Sequence, residues 1–355
     1  MVEMMKNKQK KNYLYLGLIV LVIILAIFLI EKRGSNVSDD FMNDDGEYVG
    51  VDIKGISGYI NADESFNLRE IVGEKVILVD FWTYSCVNCL RTTPFLNSWH
   101  EKYADKGLVI VGVHTPEFDF EKDYKNVQDA VKMLEIKYPV VLDNDYKTWR
   151  YFQNRYWPHK YLIDKSGRVV YDHIGEGGYE ETEKQIQKAL SELGSNVEGV
   201  ELVEDVIRER REITSELYAG YDFALPRGQI IDGLKPNEVS SYAINGPLVP
   251  NQIYLVGDWR SNKDSLEAVS GSELYLVFKA KEVNLVLEGG EVEVTVDSVN
   301  LDLSNVGDDV VFENGVSLVK ADMARLYNVY DGPYVNNLLH LKFSDGAKLN
   351  AFTFG

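Results

Sequence analysis

Apolar positions along the chain fall into zones of different period. Residues 13–30 (YLYLGLIVLVIILAIFLI) carry no charge and no proline. Helical residues rise ~1.5 Å each, so a run of this length just crosses a bilayer core of roughly 30 Å. Residues 31–50 are rich in Asp, Asn, Ser and Gly and read as a flexible stalk. Across 51–195, strand-like runs at 76–82 and 108–113 alternate with helical stretches at 87–106, 127–134 and 180–193. Gly107 and Gly194 close the first and last of these helices. Runs at 160–164 and 169–174 around Lys165-Ser166-Gly167 predict a hairpin. This alternation predicts an α/β layer with a largely parallel sheet. Residues 196–213 form a charged connector, helical in pattern over 198–211. From 214 to 355 the runs are short: 274–278, 283–287, 292–296, 316–319, 338–343 and 349–354. Turn signals such as Asn314-Gly315 separate them, which predicts an all-β, jelly-roll-like sandwich. The polar stretch 328–337 reads as a loop at one end of it.

Charge orients this arrangement. Lys6, Lys8, Lys10 and Lys11 precede the apolar run, and only Lys32 and Arg33 follow it. The basic bias predicts a cytoplasmic tail at 1–12, a single transmembrane anchor at 13–30 and an extracytoplasmic remainder. The run ends Leu29-Ile30-Glu31-Lys32-Arg33, without the small residues of a cleavage site. The whole chain carries −19, and its basic cluster lies at the N-terminus, so the rest is strongly acidic. Phosphate binding needs a basic face, so a nucleic-acid partner is not expected.

Cys86 and Cys89 are the only cysteines among the 355 residues. A disulfide scaffold is excluded, and a zinc site would need two more ligands that no paired histidine spacing offers. Cys86-Val87-Asn88-Cys89 follows a buried strand and opens a helix. Free backbone N–H groups and the helix dipole favour a thiolate there, which predicts Cys86 as nucleophile and Cys89 as resolving thiol. No cofactor is expected beyond a redox-active Cys86–Cys89 disulfide. Asp80 is a carboxylate inside an apolar strand, where burial raises its proton affinity and lets it exchange a proton with Cys89. A strand-end Asp facing solvent is the alternative. Trp157-Pro158 precedes a strand, where an X-Pro bond is sometimes cis.

These residues resemble the thioredoxin superfamily: Asp80-Phe81-Trp82, the cysteine pair, Pro94 five residues past Cys89, then Pro158. Phrases such as VDFWTYSCVNC (79–89), GVHTPEF (112–118) and NRYWPHKYLID (154–164) resemble its TlpA/DipZ type. TSELYAGY (214–221) and LNAFTFG (349–355) resemble the carbohydrate-binding-like C-terminal module of DipZ-type proteins. The resemblance implies a thioredoxin-like domain over 51–195, a module over 214–355, and thiol–disulfide exchange with envelope proteins. DipZ-type proteins commonly carry a multi-helix electron-transporting membrane domain. Here one helix replaces it, so a reductant of this kind would need a separate membrane electron donor.

Further candidates follow from placement. Trp157, Pro158 and Tyr84 are expected to meet the substrate, with Trp82 as packing. His114 and Glu117 follow a strand whose carboxyl edge is the cysteine side, which makes them candidates for the rim. A loop histidine with local hydrogen bonds is the simpler alternative. In the module, Trp259, Tyr327, Tyr330 and Tyr334 are candidates for stacking on a glycan, although aromatic residues of sandwiches are more often core. The module has no cysteine and is expected to localise the redox domain rather than share its chemistry. A cell-surface glycan- or protein-binding protein with an accessory redox domain is the alternative function.

Overall fold

The computed structural model describes residues 52–205, 211–231 and 233–355. The expected anchor at 13–30 lies outside the described residues. Among the described residues, no helix is long and apolar enough to cross a membrane.

The first domain is a six-stranded sheet flanked by helices. Its elements are β1 (Gly58–Ile60), β2 (Val76–Trp82), α1 (Val87–Tyr103), β3 (Leu108–His114), α2 (Tyr124–Met133) and β4 (Val140–Leu142). The hairpin β5 (His159–Ile163) and β6 (Val169–Ile174) follows, then α3 (Tyr179–Leu193). The strand order is β1-β4-β3-β2-β5-β6. Every residue of β2 is buried, because the sheet is covered on both faces. Val76, Leu78 and Trp82 face one core cluster and Ile77, Val79 and Phe81 the other. Asp80 therefore shares its face with Trp82, on the side where Cys89 packs. Gly107 ends the α1 region at φ 102° and Gly194 ends α3 at the same φ, the left-handed caps that glycine adopts without a Cβ clash.

The sheet is mixed rather than largely parallel. Only β2, β3 and β4 run parallel; β1, β5 and β6 pair antiparallel. The β5–β6 turn is too short for a crossover, and that forces the antiparallel edge.

The connector is not helical over its described residues, 196–205 and 211–213. Val197, Val200 and Val203 recur every third residue, as on a helix face, but the chain lies along the first domain. Asp205 accepts from the N–H groups of Tyr179 and Glu180 at the start of α3, and Glu183 accepts from Val203 N–H. Polar side chains that a helix would expose are spent on holding the segment down.

The second domain comprises β7 (Leu217–Tyr218), α4 (Tyr221–Arg227), β8 (Val239–Tyr242), β9 (Ile253–Ser261), β10 (Leu266–Glu288) and β11 (Glu291–Val296). It continues through β12 (Val299–Asn300), β13 (Val310–Glu313), β14 (Val316–Lys320), β15 (Arg325–Phe343) and β16 (Lys348–Phe354). These strands join in one antiparallel ten-stranded sheet, not two separate sheets. Two long strands, β10 and β15, run through the sheet. The first half of β10 pairs with β9 and the end of β15, and its second half pairs with β16 and the start of β15. Leu349 stands opposite both Leu266 and Leu287, so β10 folds back to flank β16 on either side. The stretch 328–337 is strand, not loop. Its Gly332-Pro333-Tyr334 turn signal makes a bulge between the Glu282–Asp331 and Ala280–Val335 pairs.

The two domains touch at the start of α1. Val87 and Leu90 pack with Phe118, Phe120, Tyr218, Phe223, Val286, Leu326 and Ala351. Arg91 of α1 is ion-paired with Glu282 of β10, and Asp119 N–H donates to Asp264 at 2.8 Å.

Candidate active site

The strand β2 ends at Trp82, and Thr83-Tyr84-Ser85 carries the chain to Cys86, the N-cap of α1 (φ −81°, ψ 113°). Cys89 N–H donates to the Cys86 sulfur at 3.3 Å, so the first thiol occupies the position where a helix favours an anion. Cys86 is half-buried and Cys89 buried, and both are free thiols. Burial pushes the Cys89 thiol well up, and its hydrogen bond to Cys86 and the charges of Cys86 and Asp80 push it further. A thiol in that setting needs a base before it can attack.

Asp80 is 2% exposed, and among the described residues no group bonds its Oδ1. Burial pushes its carboxyl up to about 7, against the pull of the Lys160 ammonium. Asp80 is a core carboxyl rather than a solvent-facing strand end. Lys160 stands directly across the β2–β5 ladder from Asp80, is fully buried, and donates to Gly175 O at 3.1 Å. Its own pKa is lowered by burial and raised by Asp80 and Cys89. Sequence reasoning passed over Lys160, although a lysine inside the run HKYLI carries the same signal as an aspartate inside VDFW.

The loop before Cys86 is held from below by Glu121, which is fully buried. Glu121 accepts from Thr83 Oγ1, from Ser85 Oγ at 2.6 Å and from Ser85 N–H at 3.3 Å. Its other oxygen takes the N–H groups of Glu117 and Phe118 at 2.6 and 3.0 Å. Burial raises its proton affinity, and these bonds lower it again.

Two expected substrate contacts are corrected. Tyr84 is 2% exposed and His114 is 0% exposed. His114 is the last residue of β3, paired with Trp82, so its ring turns into the core instead of starting a loop. It stacks on Tyr84 at 5.6 Å and lies 3.3 Å from Thr83 Oγ1. Burial pushes its pKa down to about 3. Neither side chain reaches the surface beside Cys86. Trp157 does: it is half-buried, with Nε1 donating to Thr115 O at 3.1 Å. The Trp157–Pro158 bond is cis, and Pro158 is buried.

Cys86 opens into a cleft of about 330 Å³ built by both domains. Trp157, Tyr156, Arg155 and Glu117 form one wall; Glu216, Tyr218, Phe223 and Arg227 form the other. The Tyr218 hydroxyl lies 2.7 Å from Glu117 Oε1 and 2.9 Å from Glu216 Oε2. Glu117 is half-buried and Glu216 exposed at the cleft mouth; partial desolvation raises both carboxyls, and the Glu216 charge raises Glu117 further. The β module, expected to localise the redox domain without sharing its chemistry, thus lines the cleft at Cys86 as well. A wider hollow of about 680 Å³ between residues 59–62 and α2 lies away from the cysteines. Of the glycan-stacking candidates, Trp259, Tyr327 and Tyr330 are core residues, and the Tyr334 hydroxyl donates to Glu212 O.

A dithiol at a helix start, a cis-proline and a buried carboxyl behind the second sulfur define a thioredoxin-type dithiol centre. Comparison with known proteins agrees. Residues 55–190 match the Redoxin family, and residues 214–355 match the thioredoxin like C-terminal domain family. The chain is 35% identical over 272 residues to protein DipZ of Mycobacterium tuberculosis, covering 74% of this chain and 38% of DipZ. It is 31% identical over 124 residues to the thiol-disulfide oxidoreductase YkuV of Bacillus subtilis, covering 35% of this chain and 83% of YkuV. It is 28% identical over 187 residues to the thiol-disulfide oxidoreductase ResA of Bacillus cereus, covering 50% of this chain and 98% of ResA. The chain belongs to the thioredoxin superfamily of thiol–disulfide oxidoreductases, in its DipZ/TlpA type. It spans 38% of the length of the DipZ proteins it matches.

Proposed function

We infer that this protein exchanges disulfides of envelope proteins outside the cytoplasm, tethered to the membrane by residues 13–30. The observation that carries the exchange chemistry is the pairing of a half-exposed N-cap thiol, Cys86, with a buried thiol, Cys89, above Asp80 and Lys160. In this reading Cys86 attacks a client disulfide and the client's second sulfur leaves. Asp80 takes the proton of Cys89, which then attacks Cys86 and releases the client as a dithiol. Lys160 keeps the ionised Asp80 from being stranded in the core. The backbone at Trp157-Pro158 and the ring of Trp157 hold the client beside Cys86. A separate membrane donor would return electrons to the disulfide, and no nucleic acid takes part. The tethering rests on the apolar run and its basic flank. No observation of the module favours a glycan ligand over a protein client.

The test is trapping. Cys89→Ser in cells should accumulate mixed disulfides between Cys86 and envelope proteins, visible as reducible high-mass bands. Cys86→Ser should form none and should lose essentially all exchange activity. Clients trapped equally by Cys86→Ser would sink the assignment of nucleophile, and protection of the domain from protease added to spheroplasts would sink the orientation.

A further inference from the structure

The cleft at Cys86 holds an arrangement that the exchange chemistry above does not use. Glu117 comes from the redox domain and Glu216 from the β module, and both address one phenol, Tyr218. A hydroxyl owns one hydrogen, and an ionised carboxylate can only accept. Two short contacts at 2.7 and 2.9 Å therefore compete for that hydrogen. A phenol hydrogen shared between two carboxylates is a weak arrangement, and the pair is satisfied best when one carboxyl keeps its proton and donates it to the phenol oxygen.

The surroundings favour retention of that proton. Glu117 is faced by Glu121 from its own loop and by Glu216 and Tyr218 from the module, with Arg227 of α4 as the cation acting on it. Arg227 lies over the Tyr218 ring at 4.9 Å and the Phe223 ring at 5.2 Å. Tyr146 and Arg155 share the larger cleft with Cys86, while Asp119, Lys122, Asp222, Lys263 and Asp264 line a smaller one on the other side of Glu117. Glu117 is half-buried and Glu216 is exposed at the cleft mouth, so it is chiefly the partial desolvation of Glu117 and the repulsion between the two carboxylates that oppose full ionisation.

We propose that Glu216, acting through Tyr218, is a positioning residue that keeps a proton on the Glu117 side of the cleft, where it passes to the sulfur leaving a client disulfide. The proposal rests on the exchange reading. The step balances simply. The Cys86 thiolate forms a bond to one client sulfur, the client S–S bond breaks, and its electron pair goes to the departing sulfur. That sulfur takes the carboxyl proton, and the carboxylate is reprotonated from water once the client has left. A departing alkyl thiolate is basic and gains from a proton donor, whereas an aryl thiolate is stable without one. The β module then sets which disulfides react, by completing the proton source.

The test compares two probes on the reduced full chain. Glutathione disulfide releases an alkyl thiolate; dithiobis-nitrobenzoate releases an aryl one. The ratio of their rates cancels the ionisation of Cys86. In the wild type this ratio should fall on the alkaline side of neutrality, as the shared proton is lost. Glu216→Gln should move that fall to lower pH by about one unit, because the repulsion that holds the proton is gone. Glu117→Gln should lower the ratio about tenfold or more and flatten it. A ratio independent of pH in the wild type would overturn the proposal without recourse to any variant. So would a Glu216→Gln profile identical to the wild type, or equal slowing with both probes. If the wild type consumes neither disulfide, as Cys86→Ser should not, the exchange reading itself fails.

Discussion

Each side of the Cys86–Cys89 pair takes a carboxyl out of water, wholly for Asp80 and partly for Glu117, and they differ in what compensates it. On the inner side Asp80 lies within one domain, with Lys160 across the ladder and no hydrogen bond to Oδ1. On the outer side Glu117 lies at a seam between domains and is satisfied by a phenol that a second acid also claims. The inner carboxyl has a counter-charge but, among the described residues, no donor to Oδ1, so desolvation governs its proton. The outer one has a donor but a like charge, so its proton is shared. The same upward shift thus comes from two anatomies, and only the outer one depends on how the domains dock.

The largest expected effect tests the inner side. Asp80→Asn removes the base that serves Cys89, and turnover at neutral pH should fall about 10²–10⁴-fold. The same change removes a carboxylate that is costly to ionise in the core, but it also strips the buried Lys160 of its counter-charge, so the effect on stability is read from its pH dependence. Native Asp80 holds its proton up to about 7, while an unfolded aspartate releases it near its model value of 3.8. Stability contributed by the protonated form is therefore complete at acid pH and lost as pH rises towards 7. The stability of the variant relative to the wild type should therefore rise as pH increases from about 4 through 7, by up to roughly 2–4 kcal/mol, whatever offset the unpaired Lys160 adds. Denaturant melts across pH measure the second effect, and unchanged turnover would leave Asp80 a structural residue.

A smaller effect tests whether the outer side relies on docking. Arg91 joins α1 to the module through Glu282, and its side chain is 15% exposed against 27% for the glutamate. Arg91→Ala should cost about 1 kcal/mol or more, since the pair is largely shielded from solvent and Glu282 is left without its partner. It should also slow reduction of glutathione disulfide more than that of dithiobis-nitrobenzoate, by loosening the wall that carries Tyr218. Equal effects on both probes would mean that the wall does not move.

The smallest effect on rate is expected at His114. Buried away from the cleft, His114→Gln should change exchange rates by less than about twofold, while altering the stability profile. The folded imidazole stays neutral down to about 3, whereas an unfolded one takes a proton near 6.5. Wild-type stability therefore falls as pH drops through that window, and the variant should lose this share of the fall. A rate loss above tenfold would return His114 to the site.

Local signals account for what sequence reading recovered. The Cys86–Cys89 pair at a strand–helix junction, the caps at Gly107 and Gly194, and the hairpin around Lys165-Ser166-Gly167 depend on neighbours a few residues away. An aspartate in an apolar strand announces its own burial, and the period of β2 puts it on the cysteine face. The stretches read wrongly are those where a local pattern has two outcomes. Val197, Val200 and Val203 suit a helix or an extended chain pinned by Glu183 and Asp205. Asp331-Gly332-Pro333 suits a loop or a bulge, and fourteen paired positions between β10 and β15 make it a bulge.

What the sequence by itself determined is the chemistry: two thiols one helical turn apart, a buried acid behind them, and a second module without a thiol. What only the tertiary structure decided is who shares the cleft. Burial of Tyr84 and His114 depends on how far the β2–β3 ladder extends, which pairing across the sheet sets. Lys160 meets Asp80 through an antiparallel register between strands about eighty residues apart. Tyr218 meets Glu117 across 101 residues, because apolar surface at Val87, Leu90 and Phe118 is covered by the module. Local propensity carries no information about such pairings; they follow from where the remaining apolar area can be removed from water.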